Sequence, residues 1–323
     1  MAVYSREILF GLARRYPSER FRFYYRPHRL LRSFNDSLPG NASRRILHGA
    51  PGGDLFHALN QRVDVRARRT VTTFHDLFVM TGDYSSPDFR ARFTAQARQA
   101  ASNSDAIIAV SQFTASQVQT LLGVEQSRIH VIPHGVRVPN TAGTPRRENL
   151  VLCTGAIQRR KNTARLVKAF EQMPTGWRLA LAGAADGYDA AQELRAVEDS
   201  PRKADIEVLG YVSASQLDAL YHRASIFAFP SLDEGFGMPV LEAMAHGVPV
   251  VTSTRSALPE VAGDAALLVD PSSAEEIGAA LRRLADDASL RAEYTQRGNA
   301  RAREFTWDAA VEKTWQVYQS LLV

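Results

Sequence analysis

The run Asp233-Glu234-Gly235-Phe236-Gly237-Met238-Pro239-Val240-Leu241-Glu242-Ala243 sets two carboxylates on either side of a glycine turn. It follows the apolar run Ile226–Phe229 and opens a helix-period segment, so the turn joins a strand to a helix N-terminus. Gly235 and Gly237 allow backbone to approach a ligand closely. Pro239 suits a first helical turn, where its missing N–H costs nothing. A helix N-terminus offers N–H donors and a positive dipole end, which makes an anion site that a diphosphate would fit. Glu234 in the loop and Glu242 about one turn into the helix would then meet the hydroxyls of two sugars flanking that diphosphate. The alternative is ordinary: strand, glycine turn and helix recur throughout α/β proteins, and Glu234 could be a solvated loop residue. The whole string is far more specific than its glycines.

Three further places carry chemistry. Gly155-Ala156-Ile157-Gln158-Arg159-Arg160-Lys161-Asn162 puts three cations just beyond the apolar run 150–154, where α/β folds bind ligands; a basic surface cap is the alternative. His75-Asp76 follows another apolar run, and His75 is either a site residue or a strand-end core histidine. Cys153, the only cysteine, sits in an apolar run and reads as packing; it excludes a disulfide framework and a multi-cysteine metal site. No DxD or His-Glu cluster asks for a catalytic metal.

The elements that must position these residues alternate. Strand candidates are 106–110, 129–132, 150–154, 178–182, 206–209, 225–229, 248–252 and 265–269. Helical segments lie around 92–102, 114–122, 163–172, 215–223 and 238–246, with a polar helical region over 274–304 and an amphipathic one over 306–323. Doubly buried strands alternating with helices predict parallel sheets covered on both faces. Pro133, Gly135, Pro139, Gly143 and Pro145 mark a boundary. The expected organisation is an N-terminal domain over 1–140, a second domain over 141–305, and a last helix, 306–323, crossing back to the first. Residues 33–56 read as a surface excursion.

The 323 residues carry a net charge of +5, divided unevenly. Residues 1–148 hold 21 Arg, no Lys and 11 acidic residues, and residues 149–323 hold 18 basic and 23 acidic ones. The basic half suits an anionic partner such as a phospholipid surface or a lipid-linked phosphate. Preference for Arg codons explains Arg over Lys but not its gathering in one half. No nucleic-acid reader motif accompanies the charge, so nucleic acid is not expected. No apolar run approaches the roughly 20 residues of a membrane span, and the N-terminus lacks signal-peptide features. A reducing cytoplasm is the expected setting, with peripheral contact at the inner face of the membrane.

Taken in order and spacing, these residues resemble a retaining glycosyltransferase of family 4, with the GT-B fold of two Rossmann-like domains. The resemblance runs through His75-Asp76, Ile107–Thr114, Ile132–Val136, Thr154–Asn162, Gly210-Tyr211-Val212, Glu234–Glu242, Gly247–Val251 and Leu258–Val261. It implies a UDP- or GDP-linked hexose as donor and a glycan or lipid-linked hydroxyl as acceptor, with retention and without a metal or other cofactor. It implies that Lys161, with Arg159 or Arg160, binds the diphosphate. Glu234 and His75 would act at the reacting sugar and Glu242 would hold the ribose. Val212, Gly235, Phe236, Gly237, Met238, Pro239 and Val240 would complete the donor pocket. His134 stands where similar enzymes often have Asn, and its role stays open. Such enzymes begin with a strand and a glycine-rich loop; here Tyr4–Leu9 matches the helix after that loop, so the N-terminal domain is expected to lack the usual first strand. Arg20-Phe21-Arg22-Phe23-Tyr24-Tyr25 is expected to be a strand of the reduced sheet. Two rival readings remain: a catalytically degraded partner subunit that binds sugar nucleotides, and a sugar-nucleotide epimerase on the same fold.

Overall fold

A computed structural model describes residues 2–63, 65, 67–139 and 147–322. The chain divides into two compact units. Unit 1 comprises Met1–Met80, Asp88–Gly135 and Thr306–Val323; unit 2 comprises Thr81–Pro87 and Val136–Phe305. Both are built from parallel strands, as two Rossmann-like domains require.

The first part of the chain gives α1 (Ala2–Arg15), β1 (Phe21–Tyr25), α2 (Pro27–Ser33), β2 (Ala42–Ile46), β3 (Phe56–Ala58), β4 (Thr70–Phe74), α3 (Phe78–Thr81), α4 (Pro87–Asn103), β5 (Ala106–Ala109), α5 (Gln112–Leu122) and β6 (Ile129–Val131). Strands β3 to β6 form one sheet in chain order. Every residue of β4 and β5 is buried, as doubly covered parallel strands require. Helix α5 has clean ends: Ser111 Oγ accepts the Thr114 N–H, and Gly123 closes it with φ 67°.

The run Phe21–Tyr25 is a strand, but not of that sheet. It pairs in parallel with β2, from Phe21↔Ala42 to Tyr25↔Ile46, in a separate two-stranded sheet. This corrects two expectations, the strand's place and the reading of 33–56 as an excursion. Ala42-Ser43-Arg44-Arg45-Ile46 has no apolar alternation to betray it. Arg44 instead lays its guanidinium over the Phe34 ring at 4.9 Å and donates to the Ser33 carbonyl.

Unit 2 contains β7 (Glu148–Thr154), α6 (Thr163–Phe170), β8 (Arg178–Ala182), α7 (Ala190–Glu198), β9 (Ile206–Gly210), α8 (Ala214–Arg223), β10 (Ala224–Phe229), α9 (Met238–Ala245), β11 (Val250–Ser253), α10 (Leu258–Ala262), β12 (Ala266–Val269), α11 (Ala274–Asp286) and α12 (Ala288–Arg303). The sheet order is β12-β11-β10-β7-β8-β9. The chain winds outward from β7 through β8 to β9, then returns to β10 and winds the other way. β7 and β10 therefore flank the switch point of a doubly wound sheet, where ligands bind beyond the carboxyl ends of the strands. Val151, Leu166, Phe170, Leu179, Ile226 and Leu281 are among the core that fixes these two strands. The final helix, α13 (Trp307–Leu322), packs with unit 1, its Trp315 stacked on Tyr16 at 4.2 Å. Among the described residues no helix is long and apolar enough to cross a membrane.

Candidate active site

The loops after β7 and β10 are stitched together by buried polar groups. The Leu232 N–H donates to the Arg160 carbonyl at 2.8 Å. The buried Asn162 carboxamide donates to the Pro230 and Pro271 carbonyls at 2.9 and 2.8 Å. Asn162 itself sits at φ 64°, a left-handed position that Asn tolerates better than most residues. Gly183, just past the end of the neighbouring strand β8, permits the same close packing: a Cβ there would collide with the Gly155 carbonyl.

Three charged side chains meet inside this frame. Lys161 Nζ lies 2.6 Å and Arg160 Nη1 2.7 Å from Glu234 Oε1, and all three side chains are at most 11% exposed. Arg160 also donates to the Asp233 carbonyl, and the Lys161 ammonium stands 4.4 Å over the Phe229 ring. Burial alone would raise the Glu234 pKa, but Lys161 and Arg160 outweigh it and hold the carboxyl at about 2. Burial lowers Lys161, with Glu234 opposing. Glu234 is thus an ionised acceptor at neutral pH and no proton donor. Its N–H donates to Ser256 Oγ at 3.0 Å and its carbonyl accepts from the Ala257 N–H at 3.2 Å, so the residue is fixed at both ends.

Helix α9 starts beside this cluster. Its N-cap is Gly237 at φ 112°, where any side chain would be strained, and no side chain caps it. Gly235 and Phe236 are buried, the latter with its ring edge 5.9 Å from Phe305. Met238 and Pro239 are half-buried in the first turn, and Val240 is fully buried against the core. Glu242 is half-buried one turn on, its Oε2 accepting from the Tyr221 hydroxyl at 3.1 Å, and burial raises its pKa.

Other expected residues stand apart from this cluster. Arg159 is half-exposed and pairs with Asp83 at 2.9 Å and Asp189 at 3.6 Å, on the other side of its short turn from Glu234. Val212 follows the edge strand β9 and is half-buried. His75 belongs to unit 1. Its Nε2–H donates to the Leu59 carbonyl at 2.9 Å, which leaves Nδ1 to accept from His134 Nε2 at 3.3 Å. The two rings stack at 5.2 Å, and the Tyr4 ring meets His75 edge-on at 4.7 Å. Burial lowers His75 to about 4, so its ring is neutral at physiological pH. Cys153 is buried, and burial pushes its thiol up to about 12, consistent with packing. Asn162, Ser256 and Tyr221 escaped sequence reasoning. Asn162 has the composition of a helix cap, and Tyr221 lies in the apolar face of an ordinary helix.

Two family models match along the chain. Residues 138–301 match the family described as "Glycosyl transferases group 1", and residues 3–138 match "Glycosyltransferase Family 4". The chain belongs to the group 1 glycosyltransferases. This glycosyltransferase is 31% identical over 283 residues to the O-antigen chain mannosyltransferase B of Escherichia coli, covering 83% of this chain and 74% of that one. It spans 65% and 54% of the length of two further curated relatives. Its fold matches the sucrose-phosphate synthase of Thermosynechococcus elongatus with TM-score 0.78 and 21% identity, over 99% of this chain and 92% of that one. It also matches Anabaena Alr3699/HepE, solved in complex with UDP and glucose, with TM-score 0.73 and 16% identity over 97% and 95%.

Proposed function

We propose that this glycosyltransferase moves a hexose from a UDP- or GDP-linked donor to a hydroxyl of a glycan or lipid-linked acceptor, with retention at the anomeric carbon. The observation that carries this is the buried Arg160–Lys161–Glu234 cluster at the switch point, beside the uncapped glycine start of α9. Two cations and a helix dipole converge where a diphosphate belongs. The mannosyltransferase relative and the nucleotide-bound fold neighbour support the donor class.

In the proposed reaction the bond from the anomeric carbon to the diphosphate oxygen breaks through an oxocarbenium-like state. Lys161, Arg160 and the α9 dipole stabilise the charge that gathers on the departing diphosphate. Glu234, held ionised, accepts hydrogen bonds from hexose hydroxyls and offsets positive charge on the ring. Glu242 accepts from the ribose, oriented by Tyr221. His75 acts as a neutral hydrogen-bonding group on the sugar and not as a proton shuttle. The departing phosphate oxygen takes the acceptor proton on the same sugar face, so no covalent glycosyl-enzyme and no catalytic metal are required.

Calorimetric titration with UDP, GDP and their hexose derivatives, followed by product anomer assignment by NMR, tests the reading. Binding of one nucleotide diphosphate and an axial or equatorial product matching the donor are expected. Failure of every nucleotide diphosphate to bind would reject it; binding without turnover would favour the partner-subunit reading. The basic half adds a second expectation. Leu31 and Phe34 are exposed beside Arg44, an apolar and cationic surface suited to anionic lipid. Cosedimentation should show binding to phosphatidylglycerol vesicles that weakens sharply between about 0.05 and 0.5 M salt, roughly threefold either side of physiological ionic strength; equal binding to neutral vesicles would reject it.

A further inference from the structure

Asp218 and His222 lie one turn apart on α8, and His246 follows α9. One ligand-capable atom from each of the three lies within 4.8 Å of the others. Asp218 Oδ1 is 3.0 Å from His246 Nε2, and Asp218 Oδ2 is 3.5 Å from His222 Nδ1. Both rings commit Nδ1–H to a main-chain carbonyl: His246 to Glu242 at 2.7 Å, and His222 to Asp218 at 2.8 Å. A carbonyl only accepts, so Nδ1 carries a proton in each ring, and in the neutral ring Nε2 carries the lone pair. Ligating histidines are held in this way, with the far nitrogen donating to a carbonyl that fixes tautomer and orientation. His246 Nε2 faces the Asp218 carboxylate at 3.0 Å, a gap that either a ring proton or a metal ion fills.

We propose that Asp218, His222 and His246 bind a divalent transition-metal ion, zinc by ligand type. Two imidazoles and a carboxylate suit zinc and exclude magnesium, which prefers oxygen. Zinc–ligand distances of about 2.0–2.1 Å place tetrahedral ligand atoms about 3.3 Å apart. The Asp218–His246 pair is near that spacing at 3.0 Å, whereas His222, whose Nδ1 now faces Asp218, gives up its bond to the Asp218 carbonyl and turns to bring Nε2 to the ion, as its 30% exposure allows. The nearby Arg147 guanidinium does not compete for the carboxylate; it is held on main-chain carbonyls of Tyr221, His222, Ala224, His246 and Gly247. The role is structural: the ion ties α8 to α9. His246 also stacks on Tyr221 at 4.8 Å, the residue that donates to Glu242, so the tie steadies that carboxylate. The proposal stands whether or not the donor assignment does.

The test is zinc titration of the chelator-stripped full chain by calorimetry, with magnesium as control and thermal unfolding as a second readout. One zinc per chain and a raised Tm are expected, with no magnesium uptake. The double variant Asp218→Asn/His222→Ala should weaken zinc binding at least tenfold and lose the Tm rise. Circular dichroism without metal establishes that it is folded; if it is not, His222→Gln is read against the same tenfold criterion. Weakening of less than tenfold, or no zinc uptake by the wild type, overturns the proposal.

Discussion

The two units bury polar groups in opposite ways. In unit 1 they are rings and hydroxyls. His57 binds Tyr318 at 2.6 Å and Thr73 at 2.8 Å, Tyr4 reaches the same Thr73 at 2.8 Å, and His75 stacks on His134. Burial lowers His57 to about 3 and His75 to about 4, and lowers His134 well below its ordinary value. Unit 2 buries neutral groups such as Asn162 and Ser231 too, but adds ions: Arg160, Lys161 and Glu234 in one cluster, with Asp233 beside them. Neutral networks give position and shape. Charged ones give field strength, and they belong where charge develops during a reaction. Under the proposed function, this division would assign the electrostatic part of catalysis to unit 2 and recognition of an uncharged sugar or acceptor to unit 1.

The largest expected effect lies at Lys161. Lys161→Ala should reduce transfer by about 10²–10³-fold or more, since a buried cation at the developing charge is lost, and should weaken nucleotide diphosphate binding. His75→Ala should lower turnover while leaving nucleotide affinity unchanged. Equal loss of nucleotide affinity in both variants, read by calorimetry, would erase the distinction between the units.

Acid should separate them next. A histidine whose folded pKa lies below 6.5 binds more protons when unfolded, so its contribution is full above 6.5 and is lost as pH falls toward 4 and 3. Glu234, depressed from 4.5 to about 2, stabilises the fold above 4.5 and fails only below it. The raised carboxyls Asp233, Glu193 and Glu242 have the opposite sign and ease acidification of unit 2. Hydrogen exchange at pH 7 and pH 5 should show unit 1 amides losing protection first, from a lower starting level. Uniform protection at both pH values would contradict the comparison.

Within unit 2 the carboxylates should part company. Glu234→Gln should lower kcat roughly a hundredfold with little change in UDP or GDP affinity, because it removes charge at the sugar. Glu242→Gln should weaken the bare nucleotide as well. The reverse pattern would exchange their roles. The smallest effect is expected for Tyr221→Phe: one lost hydrogen bond of about 1 kcal/mol, or about fivefold in nucleotide affinity.

The legibility of the sequence follows the same divide. The central strands of unit 2 announce themselves as apolar runs, because a strand buried on both faces has no alternative composition. β2 does not, since Arg44 and Arg45 pair through backbone, Arg44 packs over Phe34 and Arg45 is exposed. Lys161 and Glu234 were visible as types at suggestive places, yet their meeting across 73 residues of chain was not. Asn162 was hidden for the same reason: its two partners are prolyl carbonyls from distant loops, and nothing local marks them. Arg159, equally basic and equally placed in the string, turned to Asp83 and Asp189 instead. A two-residue step around a tight turn decides which cation faces the site, and composition carries no record of that direction.

The stacking of Trp315 on Tyr16, with Arg15 reaching Glu312 at 3.0 Å and Tyr318 binding His57, has a consequence for how the protein is made. Unit 1 is started first on the ribosome and completed last. Its seam against α13 stays open while the whole of residues 136–305 is synthesised, on the order of 10–30 s at about 5–20 residues per second. During that interval Gly11 and the face of α1 that will receive Val311 are exposed to water and to chaperones. Unit 2, begun later, has every strand of its sheet in one continuous stretch and is the first to finish. Order of synthesis and order of folding therefore run in opposite directions along this chain.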